Sequence, residues 1–160
     1  MDNLIDWVEQ SALSNLRGHS ENADGLALQS NSTLTLLLTA AGASLGYSIT
    51  KFDTGHISHA AIMAACLALY FFILAAILII KCIKVKDFPS ITNEPKNLFQ
   101  EKYSLDSLRK QELKNIQVRI DQAVRRNYVT AFWLNRIRLA ASLTPILVFI
   151  IILVVAAHLF

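Results

Sequence analysis

The chain has 160 residues, of which 54% are hydrophobic and 17% charged, with a formal net charge of +3. Its length suits one ordinary domain, but its mean hydropathy of +0.42 excludes a typical soluble one. Two cysteines, Cys66 and Cys82, offer neither a disulfide framework nor metal-ligand spacing. No cofactor and no nucleic-acid partner is expected.

Three apolar blocks predict three transmembrane helices, at 34–50, 59–80 and 139–160. A membrane helix needs about 20 apolar residues to cross a hydrocarbon core of about 30 Å. The second and third blocks meet this length, and the first needs its Ser/Thr-rich flank to reach it. In the second block, alanines are expected to face protein, and Leu, Ile and Phe to face lipid.

The distribution of Lys and Arg predicts the orientation. Residues 81–138 carry thirteen of the 15 basic residues, so the positive-inside rule places them in the cytoplasm. Alternation then puts residues 1–33 inside, and the 51–58 loop and the C-terminus outside. The acidic N-terminal segment has no basic n-region, so the first span is expected to act as its own insertion signal. If 34–50 did not span, the N-terminus would lie outside.

Residues 3–17 have apolar side chains at helical spacing and predict a short amphipathic helix that ends at Gly18, with a turn or loop over 17–25. Its polar face is acidic, which favours packing on the protein over lying on the membrane surface. Residues 87–103 contain Pro89 and Pro95 and predict an irregular connector.

A long helix is predicted from Ser104, a suitable N-cap, into the third span, because neither Gly nor Pro occurs before Pro145. Pro145 is expected to kink it. Its apolar stripe follows a 3–4 spacing and comprises Leu105, Leu108, Leu113, Ile116, Ile120, Ala123, Asn127, Ala131, Leu134 and Ile137. The sequence therefore predicts an all-α membrane protein with an N-terminal segment (1–33), a transmembrane hairpin (34–80), a basic cytoplasmic segment (81–138) and a third span (139–160).

Small and weakly polar residues mark one face of the first span. Helices associate in lipid by close packing and hydrogen bonding, so a face with Gly42 and Gly46 in G-x-x-x-G spacing predicts a helix contact. The contact is either with the chain's own second or third helix, or with another copy, or it is a weakly polar pore wall. Asn127 either sets register or oligomer state, or forms a hydrogen bond at a helix contact. The predicted packing and assembly residues are Thr35, Thr39, Gly42, Gly46 and Asn127.

Basic residues near the predicted cytoplasmic surface are candidates for contact with anions. Anionic lipid headgroups are one partner, and a pocket for an anionic ligand such as a nucleotide is the alternative. The residues concerned are Lys84, Lys86, Arg125, Arg126, Arg136 and Arg138. The spans carry no ionisable residue at their middle, which argues against a transporter, pump or dedicated ion channel.

The sequence contains no recognisable catalytic arrangement. All five glycines lie at or before Gly55, so the basic segment has no Gly-rich phosphate loop, and no H-E-x-x-H occurs. His56 and His59 are three residues apart with no third ligand nearby, which is insufficient for a metal site. Neither catalysis nor a bound metal is expected.

The layout resembles small membrane effectors of bacterial antiphage systems, including Pycsar transmembrane effectors, related proteins of CBASS operons and retron-associated transmembrane proteins. The stretches that carry the resemblance are "NSTLTLLLTAAGA", "NEPKNLF" and "RIDQAVRRNYVTAFWLNRIR". It implies a homo-oligomer that stays inactive until an infection signal makes it assemble and impair the inner membrane. The basic helix would be the sensor, and the first span with the 113–134 stripe would form the assembly faces. Such effectors often have a separate sensing domain, which is not visible here, so a partner protein is an alternative to a nucleotide as the signal.

Two other functional classes remain open on the sequence. A membrane immunity protein that blocks a bacterial toxin is small, multi-spanning and without catalytic residues. A membrane scaffold would dock a soluble partner on its long cytoplasmic helix. Toxicity on expression separates the effector from the immunity protein.

Overall fold

The computed structural model describes residues 2–52, 58–84, 89–98 and 100–159, and these residues contain four α-helices and no β-strand. The helices are α1 (Asp2–Phe52), α2 (His59–Leu78), α3 (Pro95–Leu98) and α4 (Leu105–Leu159), and a π-helical turn (Ile79–Ile83) follows α2 directly. The all-helical prediction is confirmed. Three helices have segments long and apolar enough to cross a membrane, namely Leu4–Lys51, His59–Ile83 and Leu105–Leu153.

The chain divides into two compact units. The charged unit comprises Met1–Ala27 and Val85–Thr130, and the apolar unit comprises Leu28–Lys84 and Ala131–Phe160. By sequence, eleven of the 12 acidic residues belong to the charged unit, and the exception is Asp53, which lies outside the described residues. Helices α1 and α4 each contribute residues to both units.

The N-terminal amphipathic helix does not end at Gly18, and the predicted turn over 17–25 is wrong. Helix α1 continues through both Gly18 and Gly25. A glycine inside a helix costs about 1 kcal/mol relative to alanine. Contacts of this stretch with α4 offset that cost, because Leu16 is fully buried and the carbonyl of His19 accepts a hydrogen bond from Asn127.

Residues of α1 and α4 form the core of the charged unit. Leu16 packs with Ile116, Ile120 and Ala123, and all four side chains are buried. Ala12 and Leu13 pack against this cluster at its edge. The prediction that the N-terminal helix packs on the protein is therefore confirmed, although Leu4 and Trp7 are exposed.

Helix α4 begins where the sequence predicts. The Oγ atom of Ser104 accepts a hydrogen bond from the Ser107 N–H at 3.4 Å, and the Ser104 carbonyl accepts one from the Leu108 N–H at 3.1 Å. The helix continues through Pro145, as predicted, and the kink there stays a prediction. Five residues of the predicted stripe are buried. They are Ile116, Ile120 and Ala123 in the charged unit and Leu134 and Ile137 in the apolar unit.

The apolar unit is held by small residues and by single hydrogen bonds between helices. Ser48 Oγ donates to the Ala61 carbonyl at 2.9 Å, and Tyr70 Oη donates to the Ala140 carbonyl at 3.1 Å. The buried positions of α2 are mostly alanine, as the sequence predicts: Ala61, Ala64, Ala68, Leu74, Ala75 and Leu78. Many large apolar side chains of this unit face outward, including Leu69, Phe72, Leu143, Phe149 and Ile150.

Candidate functional site

The predicted assembly face of the first span is exposed. Thr35, Thr39, Gly42 and Gly46 are all exposed, and a Cβ atom built on either glycine would meet no atom within 4 Å. Among the described residues, neither glycine therefore packs against the chain's own second or third helix. A role in assembly stays a prediction.

The opposite face of α1 makes the intramolecular contacts of the apolar unit. Leu37, Ala41 and Ser48 are buried, as are Ser30 and Thr33. At about 100° per residue, the centre of this buried face lies roughly 150° around the helix from the midpoint of Gly42 and Gly46. Folding of the chain uses one face and leaves the glycine face open.

Asn127 lies at a helix contact within the charged unit. Its Nδ2 atom donates to the carbonyl of His19 at 2.8 Å, and the side chain is half-buried. The hydrogen-bonding alternative for this residue is confirmed, and a role in setting oligomer state stays a prediction.

We expect Asn127→Ala to lower the free energy of unfolding by about 1 kcal/mol, the usual contribution of one such hydrogen bond. The His19 carbonyl lies within α1, so the backbone hydrogen bonding of that helix partly compensates for the loss of the Asn127 donor. Chemical denaturation of the purified chain in detergent measures the change. Gln122→Ala, at an exposed position of the same helix, is the matched control and should change stability by under about 0.5 kcal/mol.

The predicted anion-binding residues are divided between the two units. Arg125 and Arg126 belong to the charged unit, whereas Lys84, Arg136 and Arg138 belong to the apolar unit. Lys84, Arg125 and Arg136 are exposed, and Arg126 and Arg138 are half-buried. Lys86 lies outside the described residues.

Arg138 is engaged by α1 within the apolar unit. Its Nε atom donates to Thr33 Oγ1 at 3.0 Å, its Nη1 to Gln29 Oε1 at 3.0 Å and its Nη2 to the Gln29 carbonyl at 3.3 Å. Thr33 Oγ1 in turn donates to the Gln29 carbonyl at 2.8 Å. We call this set, Gln29, Thr33 and Arg138, the Arg138 clamp. The sequence analysis did not identify Gln29 and Thr33. The only sign of them in the sequence is that two polar residues are spaced one helical turn apart.

A second set of polar contacts joins the N-terminal segment to α4 in the charged unit. Arg109 makes two hydrogen bonds of 2.8 Å to the Glu9 carboxylate and also pairs with Asp6. These carboxylates, Glu9 before Asp6, raise the pKa of Arg109 above its already high usual value. A group whose pKa is raised by folding stabilises the folded state until the pH rises through the folded-state pKa. Arg109 therefore keeps its positive charge throughout the ordinary pH range, and its contribution to this contact is not lost as the pH rises within that range.

The connector is fixed to α4 by the Glu112–Arg119 pair. Glu112 accepts hydrogen bonds from Arg119 and from Asn93 Nδ2, the latter at 3.0 Å. Arg119 also donates to the carbonyls of Ser90 and Ile91 at 3.1 and 3.3 Å. A cavity of about 350 Å³ lies beside these groups, and its wall is largely aliphatic, with Leu13, Ile91, Leu98, Leu105, Leu108 and Ile116.

Comparison with known proteins identifies no relative: neither a protein-family model, nor a curated protein, nor a solved structure matches this chain.

Function must therefore be argued from the geometry. Among the described residues, no group of three or more His, Cys, Asp and Glu side chains could hold a metal ion. His59 is exposed at the start of α2, and His56 lies outside the described residues. Four features of the described residues are candidates for binding a partner. They are the open glycine face, the Arg138 clamp, the ion pairs of the charged unit and the exposed cations of the apolar unit.

Proposed function

We propose that this chain is a non-catalytic membrane effector of bacterial antiphage defence. It assembles in the inner membrane through the glycine face of α1 and impairs that membrane when its cytoplasmic part is triggered. The observation that carries the proposal is that Gly42 and Gly46 are open, while folding of the chain uses the opposite face of the same helix. The antiphage context comes from the resemblance in layout.

The charged unit supports the proposed orientation. The N-terminal segment and residues 105–127 pack in this one unit, through Leu16 with Ile116 and Ile120 and through Arg109 with Glu9. Two segments that pack together lie on the same side of a membrane, so α1 and α2 either both cross it or both fail to cross it. The basic composition of 81–138 puts that side in the cytoplasm. Because α1 and α2 are both long and apolar enough to cross, we infer three crossings, with the N-terminus inside and the C-terminus outside.

The open glycine face favours a second copy as partner. In lipid, apolar side chains gain little by leaving the hydrocarbon, whereas small residues permit the close backbone approach that stabilises helix pairs. A helix with no partner on that face has no packing reason to keep two glycines there, since each weakens the helix by about 1 kcal/mol relative to alanine. Self-association through Gly42 and Gly46 accounts for both.

The experiment has two readouts, self-association in a bilayer and membrane potential in a growing bacterial host. We expect the wild-type chain to self-associate, and its induced expression to arrest growth with depolarisation of a voltage-sensitive dye. Gly46→Leu should weaken association at least about tenfold, or about 1.4 kcal/mol, and relieve the depolarisation. Ala76→Leu introduces the same side chain, with one carbon less of added bulk, at an exposed position of α2 and is the matched control, expected to behave as wild type.

The two readouts separate the alternatives. Equal association of wild type and Gly46→Leu would remove the assembly argument. Association that depends on Gly46 without depolarisation, even when the partner genes of the source bacterium are supplied, would contradict the effector proposal and favour an immunity protein or a scaffold.

A further inference from the structure

We propose that the end of the apolar unit formed by Lys81, Lys84 and Arg136 binds the phosphate of an anionic phospholipid headgroup. We call these three residues the cation patch. The inference does not depend on the effector function, since it concerns a lipid partner of the folded monomer.

The π-helical turn after α2 positions the first two cations. The Lys84 N–H bonds the Ile79 carbonyl at 2.7 Å, which closes the wider turn. The Nζ atom of Lys81 lies 5.2 Å from the ring centroid of Trp133, a cation–π distance. Such single π turns are uncommon and frequent at functional sites. The turn thus brings the end of α2 beside Trp133 of α4.

Arg136 lies one helical turn beyond Trp133 on α4. Its guanidinium carbon lies 4.2 Å from the ring centroid of Phe132, which orders the side chain while leaving it exposed. Lys81 and Lys84 are also exposed. Both helices therefore present exposed cations in the apolar unit, and Lys81 and Arg136 each contact an aromatic ring of α4.

The apolar unit has no acidic side chain among its described residues. Its one acidic residue by sequence, Asp53, lies before α2, and the 20 residues of α2 (about 30 Å of helix) separate it in the chain from Lys81. The acidic side chains with ion-pair partners in the described part of the chain pair with cations of the charged unit: Asp6, Glu9, Glu94, Asp106 and Glu112. No acidic side chain of the described residues pairs with the cation patch, so an external anion can supply its counter-charge. Asp87, three residues after Lys84 in the sequence, lies outside the described residues.

Exposed aliphatic side chains next to the cations favour a lipid over a free anion. Ile79 and Ile80 precede Lys81, and Leu139 follows Arg136, and all three are exposed. Tryptophan with lysine or arginine at the edge of an apolar surface is the pattern of the membrane interface, where basic residues attract anionic headgroups. A phosphate held by the cations would place its acyl chains along these aliphatic side chains, a contact that inorganic phosphate lacks.

The test uses the purified full chain in neutral phosphatidylcholine micelles, titrated with phosphatidylglycerol, with bound lipid counted by native mass spectrometry. We expect retention of phosphatidylglycerol by the wild type and about tenfold weaker retention by Lys81→Gln/Lys84→Gln/Arg136→Gln. Lys114→Gln, an exposed position of the charged unit, is the control and should retain lipid as the wild type does. Inorganic phosphate added in excess should not displace the lipid.

The proposal is overturned if the triple variant retains phosphatidylglycerol as well as the wild type does. Displacement by inorganic phosphate would also overturn it, in favour of a free-anion site. Circular dichroism checks that the variants keep their helix content. If the triple variant fails to fold, the single variant Lys84→Gln provides the test, because Lys84 makes no ring contact in the structure. We expect this variant to retain measurably less phosphatidylglycerol than the wild type.

Discussion

Replacement of Leu16 by alanine is expected to destabilise the charged unit by about 2–5 kcal/mol, the usual cost of truncating a buried leucine. Leu16 is fully buried against Ile116, Ile120 and Ala123, residues that lie about a hundred positions further along the chain. Alanine is the best helix former, so the substitution leaves the local preference for helix intact. The loss of stability therefore measures the contact between the N-terminal segment and α4.

Denaturant unfolding of the full chain in detergent, followed by tryptophan fluorescence, measures the change. Limited proteolysis provides a second readout, because a released N-terminal segment is cut faster than a docked one. Leu4→Ala is the matched control, since Leu4 lies on the same helix with 63% of its surface exposed and should cost under about 0.5 kcal/mol. Equal effects of the two substitutions would mean that the segment is not docked on α4, and the argument that both lie on the same side of a membrane would disappear.

The sequence predicts α4 well because the information is local. One apolar stripe at 3–4 spacing, a serine cap at Ser104 and the absence of Gly and Pro before Pro145 all favour the same long helix. The turn over 17–25 is mispredicted because Gly18 and Gly25 are local signals, each with an effect of about 1 kcal/mol. The contact that outweighs them is made by residues of α4, and no local pattern reveals that pairing.

The candidate site was predicted in part for a similar reason. Small residues occur on both faces of the first span, so Ala41 and Ser48 give no local sign that they pack internally while Gly42 and Gly46 do not. The choice depends on which helices become neighbours. The sequence places the basic residues only along the chain, whereas in the structure they belong to different units and contact different partners.

The Arg138 clamp gives the second large expected effect. Arg138→Ala should lower the free energy of unfolding by about 2–3 kcal/mol, because it removes three hydrogen bonds from one charged donor to α1. A single hydrogen bond to a charged group contributes about 1.5–3 kcal/mol net, and bonds within one network do not add in full. Arg138→Lys should recover little of the loss. An ammonium group cannot donate at once to the Gln29 and Thr33 side chains in the forked geometry that guanidinium provides.

A double-mutant cycle with Gln29→Ala isolates the clamp. We expect a coupling of about 1 kcal/mol or more between positions 29 and 138, since residues that share a hydrogen-bond network are not additive. Arg125→Ala, at an exposed position on the same helix, is the control and should be additive with Gln29→Ala. Additive effects of Arg138→Ala and Gln29→Ala would show that the guanidinium does not depend on α1. It would then be available to anions, and the cation patch would extend from Arg136 to Arg138, where phosphatidylglycerol retention by Arg138→Ala would reveal it.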